Sequence, residues 1–281
     1  MSTFSIVIPT FNRRRTLRRV LRALERQTIP RADFEVLVVD DSSTDGTPEL
    51  LDAYCGPLRF RHFSTGLSAQ EYGYLRALNI GLANAQGRYM VFLDSDMEPA
   101  RDALEKLLAA HRRWEAQGVD VVIRPWWVGR RTPLYLLVLG RHFWNYRPEH
   151  TLRRARERKF RDLYRRRQSL EPGEAVGAFM SVRRDLALAV DGFAEQVKAY
   201  GLDGEFKRRL VRIAGVRIVF EPSVFAIHGP LRGDVRPTAY RWTKTLRDRM
   251  AAMERVGLKS SYARPSIPRT GAESSVQTPG T

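Results

Sequence analysis

The chain has 281 residues, and 43% of them are hydrophobic, so it can bury a sizeable core and is not disordered throughout. Lys and Arg number 48 against 31 Asp and Glu, a formal net charge of +17, which points to phosphate or another anion among its partners. The one cysteine, Cys55, excludes an internal disulfide framework and a cysteine-based metal cluster, and it favours the reducing cytosol.

Neither a membrane span nor a leader is apparent in the sequence. The longest apolar runs, such as 134–139, are far shorter than the roughly 18 to 20 residues that cross a bilayer. The first residues form a short β-rich run interrupted by Pro9, without the charged and apolar regions of a signal peptide. We therefore expect a cytoplasmic protein.

Apolar runs alternate with helical patterns over the first hundred residues. The predicted strands in this region are 4–8, 35–39, 58–63 and 89–93. The predicted helices are an amphipathic one through Leu17, Val20, Leu21 and Leu24, one that starts at Thr47 and Pro48, and one over 72–85. This order predicts an α/β fold in which crossover helices cover a mostly parallel sheet.

The pattern becomes less regular after residue 100. The elements predicted there are a helix over 103–116, a strand over 119–124, regular structure over 175–182, helices near 185–190 and 203–213, strands over 216–220 and 224–227, and a helix over 238–256. Aromatic and Arg-rich sequence between 125 and 172 has no assigned element. The final residues, rich in Ser, Thr, Pro and Gly, are typical of a disordered tail.

Short stretches that contain polar or acidic residues lie at the ends of three of the predicted strands. They include Pro9, Thr10, Asp40, Asp41, Asp94 and Asp96. In a parallel sheet these positions share the carboxyl edge, where open α/β folds bind ligands. The close pair Asp94 and Asp96 suits a hard divalent cation. Helix caps or turns are the alternative for each acidic pair, but they account less well for all of them together.

Five segments stand in a fixed order along the chain. They are 5–12 (SIVIPTFN), 38–47 (VVDDSSTDGT), 92–96 (FLDSD), 177–184 (GAFMSVRR) with 191–193 (DGF), and 200–206 (YGLDGEF). Together they resemble the signatures of family 2 of the GT-A glycosyltransferases, over roughly residues 4–230. The resemblance implies a GT-A, Rossmann-like sheet flanked by helices in a single catalytic domain with a C-terminal helical extension.

The resemblance also implies a division of the chain. The expected parts are a catalytic domain over 1–232, with a donor half over about 1–125 and an acceptor half over about 126–232, a helical extension over 233–258 and a disordered tail over 259–281.

By resemblance, the nucleotide is bound at the ends of the first two strands. The residues expected there are Pro9, Thr10, Asp40 and Asp41, with one of the two Asp residues accepting hydrogen bonds from the base. The family usually has Arg or Lys where this chain has Leu78, so Arg76 is the candidate cation for the donor. The alternative for Arg76 is an ordinary surface position.

The resemblance places a metal ion and a general base as well. Asp96, with Asp94 close by, is expected to hold Mn²⁺ or Mg²⁺ against the diphosphate of the donor, and Asp94 is also expected to bind the nucleotide sugar. His228 corresponds to the His that completes the metal site in some members, although a structural His is an equal alternative. Asp203 is the expected general base. The family usually has Glu before this Asp, whereas this chain has Leu202, which leaves Glu205 as the reserve base.

These assignments predict an inverting, metal-dependent glycosyltransferase. A bound divalent ion neutralises the departing diphosphate, and a carboxylate takes the proton of the acceptor hydroxyl. One base with no evident nucleophile on the opposite face favours direct displacement. The expected donor is a nucleotide sugar, with UDP favoured, and the expected acceptor is a glycan, a lipid-linked molecule or a small molecule.

The basic segments at 13–26 and 151–167 have separate interpretations. The first keeps an apolar stripe, so its Arg residues form the solvated face of a helix. The second lies between the donor and acceptor motifs and favours peripheral contact with an anionic membrane, at the inner face, or with an anionic acceptor. A solvated helix is the alternative for that segment too.

Two other function classes compete with the transferase. A nucleic-acid-binding protein accounts for the high charge, but the sequence has no recognised nucleic-acid motif, and acidic pairs at a sheet edge repel a phosphate backbone. A sugar-phosphate nucleotidyltransferase usually has a Gly-rich loop after its first strand, whereas this chain has Thr10-Phe11-Asn12-Arg13 there. We therefore expect no nucleic-acid partner.

Overall fold

The computed structural model describes residues 2–129, 178–195 and 202–229. Its strands are β1 (Phe4–Thr10), β2 (Phe34–Asp40), β3 (Phe60–Ser64), β4 (Tyr89–Leu93), β5 (Met97–Pro99), β6 (Val121–Gly129), β7 (Phe179–Arg183) and β8 (Arg217–His228). Its helices are α1 (Arg14–Glu25), α2 (Thr47–Asp52), α3 (Tyr74–Asn84), α4 (Ala103–Glu115), α5 (Arg184–Ala189) and α6 (Leu202–Ala214), with a 3₁₀ turn at Arg31–Asp33. The predicted extension over 233–258, the tail over 259–281 and the basic segment 151–167 lie outside the described residues.

These strands form one sheet in the order β3-β2-β1-β4-β7-β6-β8-β5. The pairs β3–β2, β2–β1, β1–β4 and β6–β8 are parallel. Strand β7 runs antiparallel to both β4 and β6, and β5 runs antiparallel to β8. The predicted α/β fold with a mostly parallel sheet is confirmed, and the antiparallel strands fall in its second half.

Helices cover the sheet on both faces, which explains the continuous apolar runs of the strands. On one face, Phe4, Ile6 and Ile8 of β1 pack in one cluster with Leu17 and Leu24 of α1. On the other face, Val7 of the same strand packs with residues of α3, α5 and α6. Every residue of β1 is consequently buried, so the strand shows no polar alternation.

Three strands differ from the predicted pattern. The two strands predicted over 216–220 and 224–227 are one strand, β8, whose pairing with β6 shifts register at Pro125 and Trp126. Pro222, which has no N–H to donate to a neighbouring strand, lies at this irregularity. In the sequence pattern the same position looked like a break between two strands. Strand β6 runs to Gly129 beyond the predicted end at 124, and the three-residue β5 was not predicted.

None of the helices in the described ranges combines the length and the hydropathy needed to cross a bilayer.

A histidine is buried between α4 and the sheet. His111 is 1% exposed, and its Nε2 lies 2.8 Å from the Oγ of Ser181 on β7. Its ring stacks on Tyr89 with centroids 4.2 Å apart. Burial, followed by the charge of Arg88, lowers the pKa of His111 to about 3. The folded protein therefore excludes a proton that the unfolded chain binds below about pH 6.5.

We expect the free energy of unfolding to fall with acidification because of His111, by on the order of 3 kcal/mol between neutral pH and about pH 4. Stability from this group is complete above the unfolded pKa and is lost as the pH drops toward the folded one. Denaturant unfolding of the parent and His111→Gln across this range measures the effect. The variant should show a shallower pH slope, and equal slopes would contradict the prediction.

Candidate active site

The carboxyl ends of the parallel strands meet at one edge of the sheet, as the sequence predicts. Thr10 at the end of β1 is the register partner of Asp40 at the end of β2. Asp94 directly follows β4, which pairs with β1 on its other side. Polar residues from three separate stretches of sequence therefore lie along the same edge.

The two adjacent Asp residues after β2 have different contacts. Asp40 accepts hydrogen bonds from the backbone N–H of Ser43 at 3.1 Å and from its hydroxyl at 2.5 Å. Burial raises the pKa of Asp40, and the bonds from Ser43 oppose that rise. Asp41 accepts from the Thr65 hydroxyl and from the Gly73 N–H, both at 2.9 Å. Asp40 thus closes a local turn, whereas Asp41 joins β2 to the start of α3.

Gly73 makes the second of these contacts possible. A Cβ at this position would lie 2.1 Å from the Oδ1 of Asp41, so a side chain there would displace the carboxylate. The glycine therefore allows the first turn of α3 to approach the end of β2 closely.

The loops that follow β1 and β2 are hydrogen-bonded to each other. Asn12 has a left-handed backbone, with φ of 50°, a conformation that Asn tolerates better than most residues. Its N–H donates to the Ser43 hydroxyl at 2.8 Å, and its side-chain carbonyl accepts from the Thr44 N–H at 2.7 Å. The two loops consequently form one unit at the edge of the predicted nucleotide pocket.

Several buried polar atoms close to this edge have no hydrogen-bond partner among the described residues. They include the Oγ1 of Thr10, the Nη1 of Arg13 and the Nε of Arg76. Buried polar groups are normally paired, so such atoms are available to a ligand. Arg76 is half-buried in the first turn of α3, and Arg13 directly precedes α1. Sequence reasoning placed Arg13 on a solvated helix face and did not propose it as a site residue.

Asp94, directly after β4, is hydrogen-bonded and has a raised pKa. Tyr74, at the start of α3, donates its hydroxyl to the Oδ1 of Asp94 at 2.9 Å. Burial, followed by the charge of Asp96, raises the pKa of Asp94 to about 7, and the bond from Tyr74 opposes that rise. Tyr74 was not predicted from the sequence, because the signal is its three-dimensional proximity to Asp94.

Asp96 is brought to His228 by the pairing of β5 with β8. Met97 is the register partner of His228, and the N–H of Gly229 donates to the backbone carbonyl of Asp96 at 2.6 Å. The Nε2 of His228 consequently lies 3.4 Å from the Oδ1 of Asp96. Their hydrogen bond is the main reason that the pKa of His228 is raised.

The donor chemistry of this cluster fits a divalent cation. Asp94 and Asp96 offer hard carboxylate oxygens, and His228 offers an imidazole nitrogen, which Mn²⁺ accepts as well. Burial and the charge of Asp96 raise the pKa of Asp94, so a cation bound next to Asp94 would stabilise its charged form. Within the described residues, however, no three His, Cys, Asp or Glu side chains form a preassembled metal site.

Asp203 lies in the first turn of α6, and its side chain is 18% exposed. Its Oδ2 is 2.6 Å from the Nζ of Lys207, one turn further along the helix. Its charge contributes to the raised pKa of Asp94, so the two carboxylates lie in one electrostatic environment. The end of β4 and the start of α6 are therefore neighbours.

Glu205, the alternative candidate for the general base, is paired with an arginine. Arg209 pairs with both of its carboxylate oxygens, at 2.5 and 2.7 Å. The same guanidinium donates to the backbone carbonyls of Val190 and Gly192. Glu205 is 5% exposed and helps to anchor α6 to the turn after α5.

The family profile described as Glycosyl transferase family 2 matches residues 5–188. A poly(ribitol-phosphate) beta-N-acetylglucosaminyltransferase, TarS, of Staphylococcus aureus is 34% identical over 96 residues, which are 34% of this chain and 16% of the relative. A validoxylamine A glucosyltransferase of Streptomyces hygroscopicus is 38% identical over 109 residues, 38% of this chain and 25% of the relative. The matched segments thus span a quarter or less of these two relatives.

Solved structures have the same fold. TarS residues 1–349 in complex with UDP-GlcNAc match with a TM-score of 0.60 and 20% identity, over 85% of this chain and 62% of that one. A mannosyltransferase of Pyrobaculum calidifontis in complex with GDP-Man and Mn²⁺ matches with a TM-score of 0.59 and 25% identity, over 82% of this chain and 58% of that one. With the profile matching more than half of the sequence, the chain belongs to glycosyl transferase family 2.

Proposed function

We propose that the chain transfers a sugar from a nucleoside-diphosphate sugar, with UDP favoured, to a hydroxyl of a glycan, lipid-linked or small-molecule acceptor, with inversion. The observation that carries this proposal is the convergence of three carboxylates at one sheet edge. Asp94 and Asp96 follow β4, and the charge of Asp203, from the start of α6, acts on Asp94. Two of these carboxylates can hold a metal ion that stabilises the leaving group, and the third can remove the acceptor proton.

The unpartnered polar atoms at the same edge support a nucleotide donor. Thr10 belongs with Pro9, Asp40 and Asp41 to the proposed base-binding pocket, and its buried hydroxyl has no partner among the described residues. Arg76 and Arg13 supply cationic groups for the diphosphate. The structures related to this chain include complexes of other proteins with UDP-GlcNAc, UDP and GDP-Man. Those complexes support a nucleotide-sugar donor here.

Asp94, Asp96 and His228 would hold the Mn²⁺ or Mg²⁺ ion. Such an ion, when bound, supplies Lewis-acid stabilisation of charge on the diphosphate. Asp203 takes the proton of the acceptor hydroxyl, whose oxygen forms a bond to the anomeric carbon. The bond from that carbon to the diphosphate breaks on the opposite face, and Arg13 and Arg76 bind the departing anion. One displacement of this kind inverts the anomeric configuration.

A thermal-unfolding screen of nucleotides with Mn²⁺ tests the proposal. We expect a uridine diphosphate to raise the melting temperature by several degrees, because a ligand at 100 times its Kd adds about 2.7 kcal/mol to folded-state stability. The shift should shrink when a chelator replaces Mn²⁺. Arg76→Gln should reduce the shift, whereas Arg18→Gln, a change at an exposed position of α1, should not. If no nucleoside diphosphate raises the melting temperature, the proposed donor class is rejected.

A further inference from the structure

Lys207 is a fully buried cation next to the proposed base. Its side chain is 1% exposed, and its Nζ donates to the Oδ2 of Asp203 at 2.6 Å. Lys is seldom buried to this extent unless it is paired. Burial lowers the pKa of Lys207, and the charge of Asp203 acts in the opposite direction. The carboxylate of Asp203 therefore stabilises the ammonium form of Lys207.

Asp203 is surrounded by both acidic and cationic groups. Asp94 and Tyr74 both have raised pKa values, first from burial and then from nearby charges that include Asp203. The charge of Asp203 also acts on Arg124 of β6, whose guanidinium lies 5.4 Å from the centroid of the Phe220 ring. A neighbouring cation favours the ionised form of a carboxylate, and only the ionised form can act as a base.

The helix α6 has anchoring contacts besides those of Lys207. Arg209, half a turn further on, pairs with Glu205 and binds the backbone carbonyls of Val190 and Gly192. Phe206 adds apolar packing against Phe193, with ring centroids 4.1 Å apart. The placement of α6 thus has contacts of its own, and the ion pair of Lys207 acts on Asp203.

We propose that Lys207 is a positioning residue that holds one oxygen of Asp203 and keeps the carboxylate ionised for its role as base. This inference rests on the proposed function. The Oδ1 of Asp203 accepts no hydrogen bond from the described residues, so it is the oxygen that takes the acceptor proton. The acceptor oxygen bonds to the anomeric carbon, the diphosphate leaves with the electron pair of the broken bond, and Lys207 keeps its own proton throughout.

The variant Lys207→Met tests this role, because Met fits a buried position without charge. We expect kcat to fall about 10-fold or more near neutral pH. The acidic limb of the pH-rate profile should move to higher pH by about 1 to 2 units, since loss of a cation favours the protonated carboxyl. Nucleotide affinity should stay within about twofold, because Lys207 is paired with Asp203, the proposed general base. Lys207→Arg, which keeps a positive charge, should keep most of the parental kcat and an acidic limb close to that of the parent.

A matched control is available on α4. Lys106 pairs with Asp102 at 2.5 Å with the same four-residue spacing but at a partly exposed site. Lys106→Met should leave both the pH-rate profile and kcat unchanged. Thermal unfolding of each variant verifies the fold, and Lys207→Gln serves as the second uncharged variant.

The outcomes separate this inference from the proposed function. If Asp203→Asn is inactive while Lys207→Met has the parental kcat and acidic limb, the positioning role is rejected and the transferase assignment stands. If neither uncharged variant at 207 folds while Lys106→Met does, Lys207 is structural and the positioning role is likewise rejected. Full turnover by Asp203→Asn rejects the base assignment and this inference with it.

Discussion

The substitution Asp203→Asn is expected to lower sugar transfer about 10²- to 10⁴-fold, the usual contribution of a positioned general base. Asn has the shape of Asp but cannot take the acceptor proton. Its side-chain carbonyl can still accept the hydrogen bond from the buried Lys207, so the local structure should persist. Turnover at saturating donor and acceptor measures the loss, and calorimetric titration should show nucleotide affinity within about twofold of the parent.

Asp102→Asn is the matched control for this loss. Asp102 also pairs with a Lys four residues later, yet it lies just before α4, away from the strand ends that form the site. Its replacement should leave turnover unchanged. Near-normal turnover by Asp203→Asn would contradict the base assignment. Glu205 would then be the next carboxylate to test, through Glu205→Gln, although both of its oxygens are paired with Arg209.

Asp96→Ala and Asp94→Ala are each expected to remove the metal-dependent part of nucleotide binding. Both side chains lie beyond the end of β4, so their loss should leave the strand and its core intact. We expect titration of nucleotide to give the same weak affinity with and without Mn²⁺ in either variant. The parent should bind at least about 10-fold more tightly with the metal, which corresponds to about 1.4 kcal/mol or more.

The control for this experiment is Asp52→Ala at the end of α2, where the carboxylate is 65% exposed and faces His62. That variant should keep the metal dependence of the parent. Asp94→Asn is informative as well, because it can retain the hydrogen bond from Tyr74 while losing the charge. Metal-dependent affinity that persists unchanged in both Ala variants would show that the cation binds elsewhere.

The sequence by itself determined strands β1, β2 and β4 of the sheet and the edge at which the polar residues collect. Strands β1, β2 and β4 are buried on both faces, so each appears as an uninterrupted apolar run followed at once by polar residues. Parallel pairing then places Thr10 beside Asp40, because equivalent ends of parallel strands share one edge. The family resemblance rests on the same segments and is confirmed.

Only the tertiary structure decided how the site residues are paired. Asp96 meets His228 through β5, a strand of three residues that is too short to show any periodicity. Tyr74 reaches Asp94 because Gly73 lets α3 approach the end of β2.

The burial of Lys207 likewise depends on the packing of α6, although the four-residue spacing from Asp203 is visible in the sequence. Local patterns report which face of a segment is buried. They do not report which distant segment covers it, because that choice depends on contacts between residues far apart in the chain.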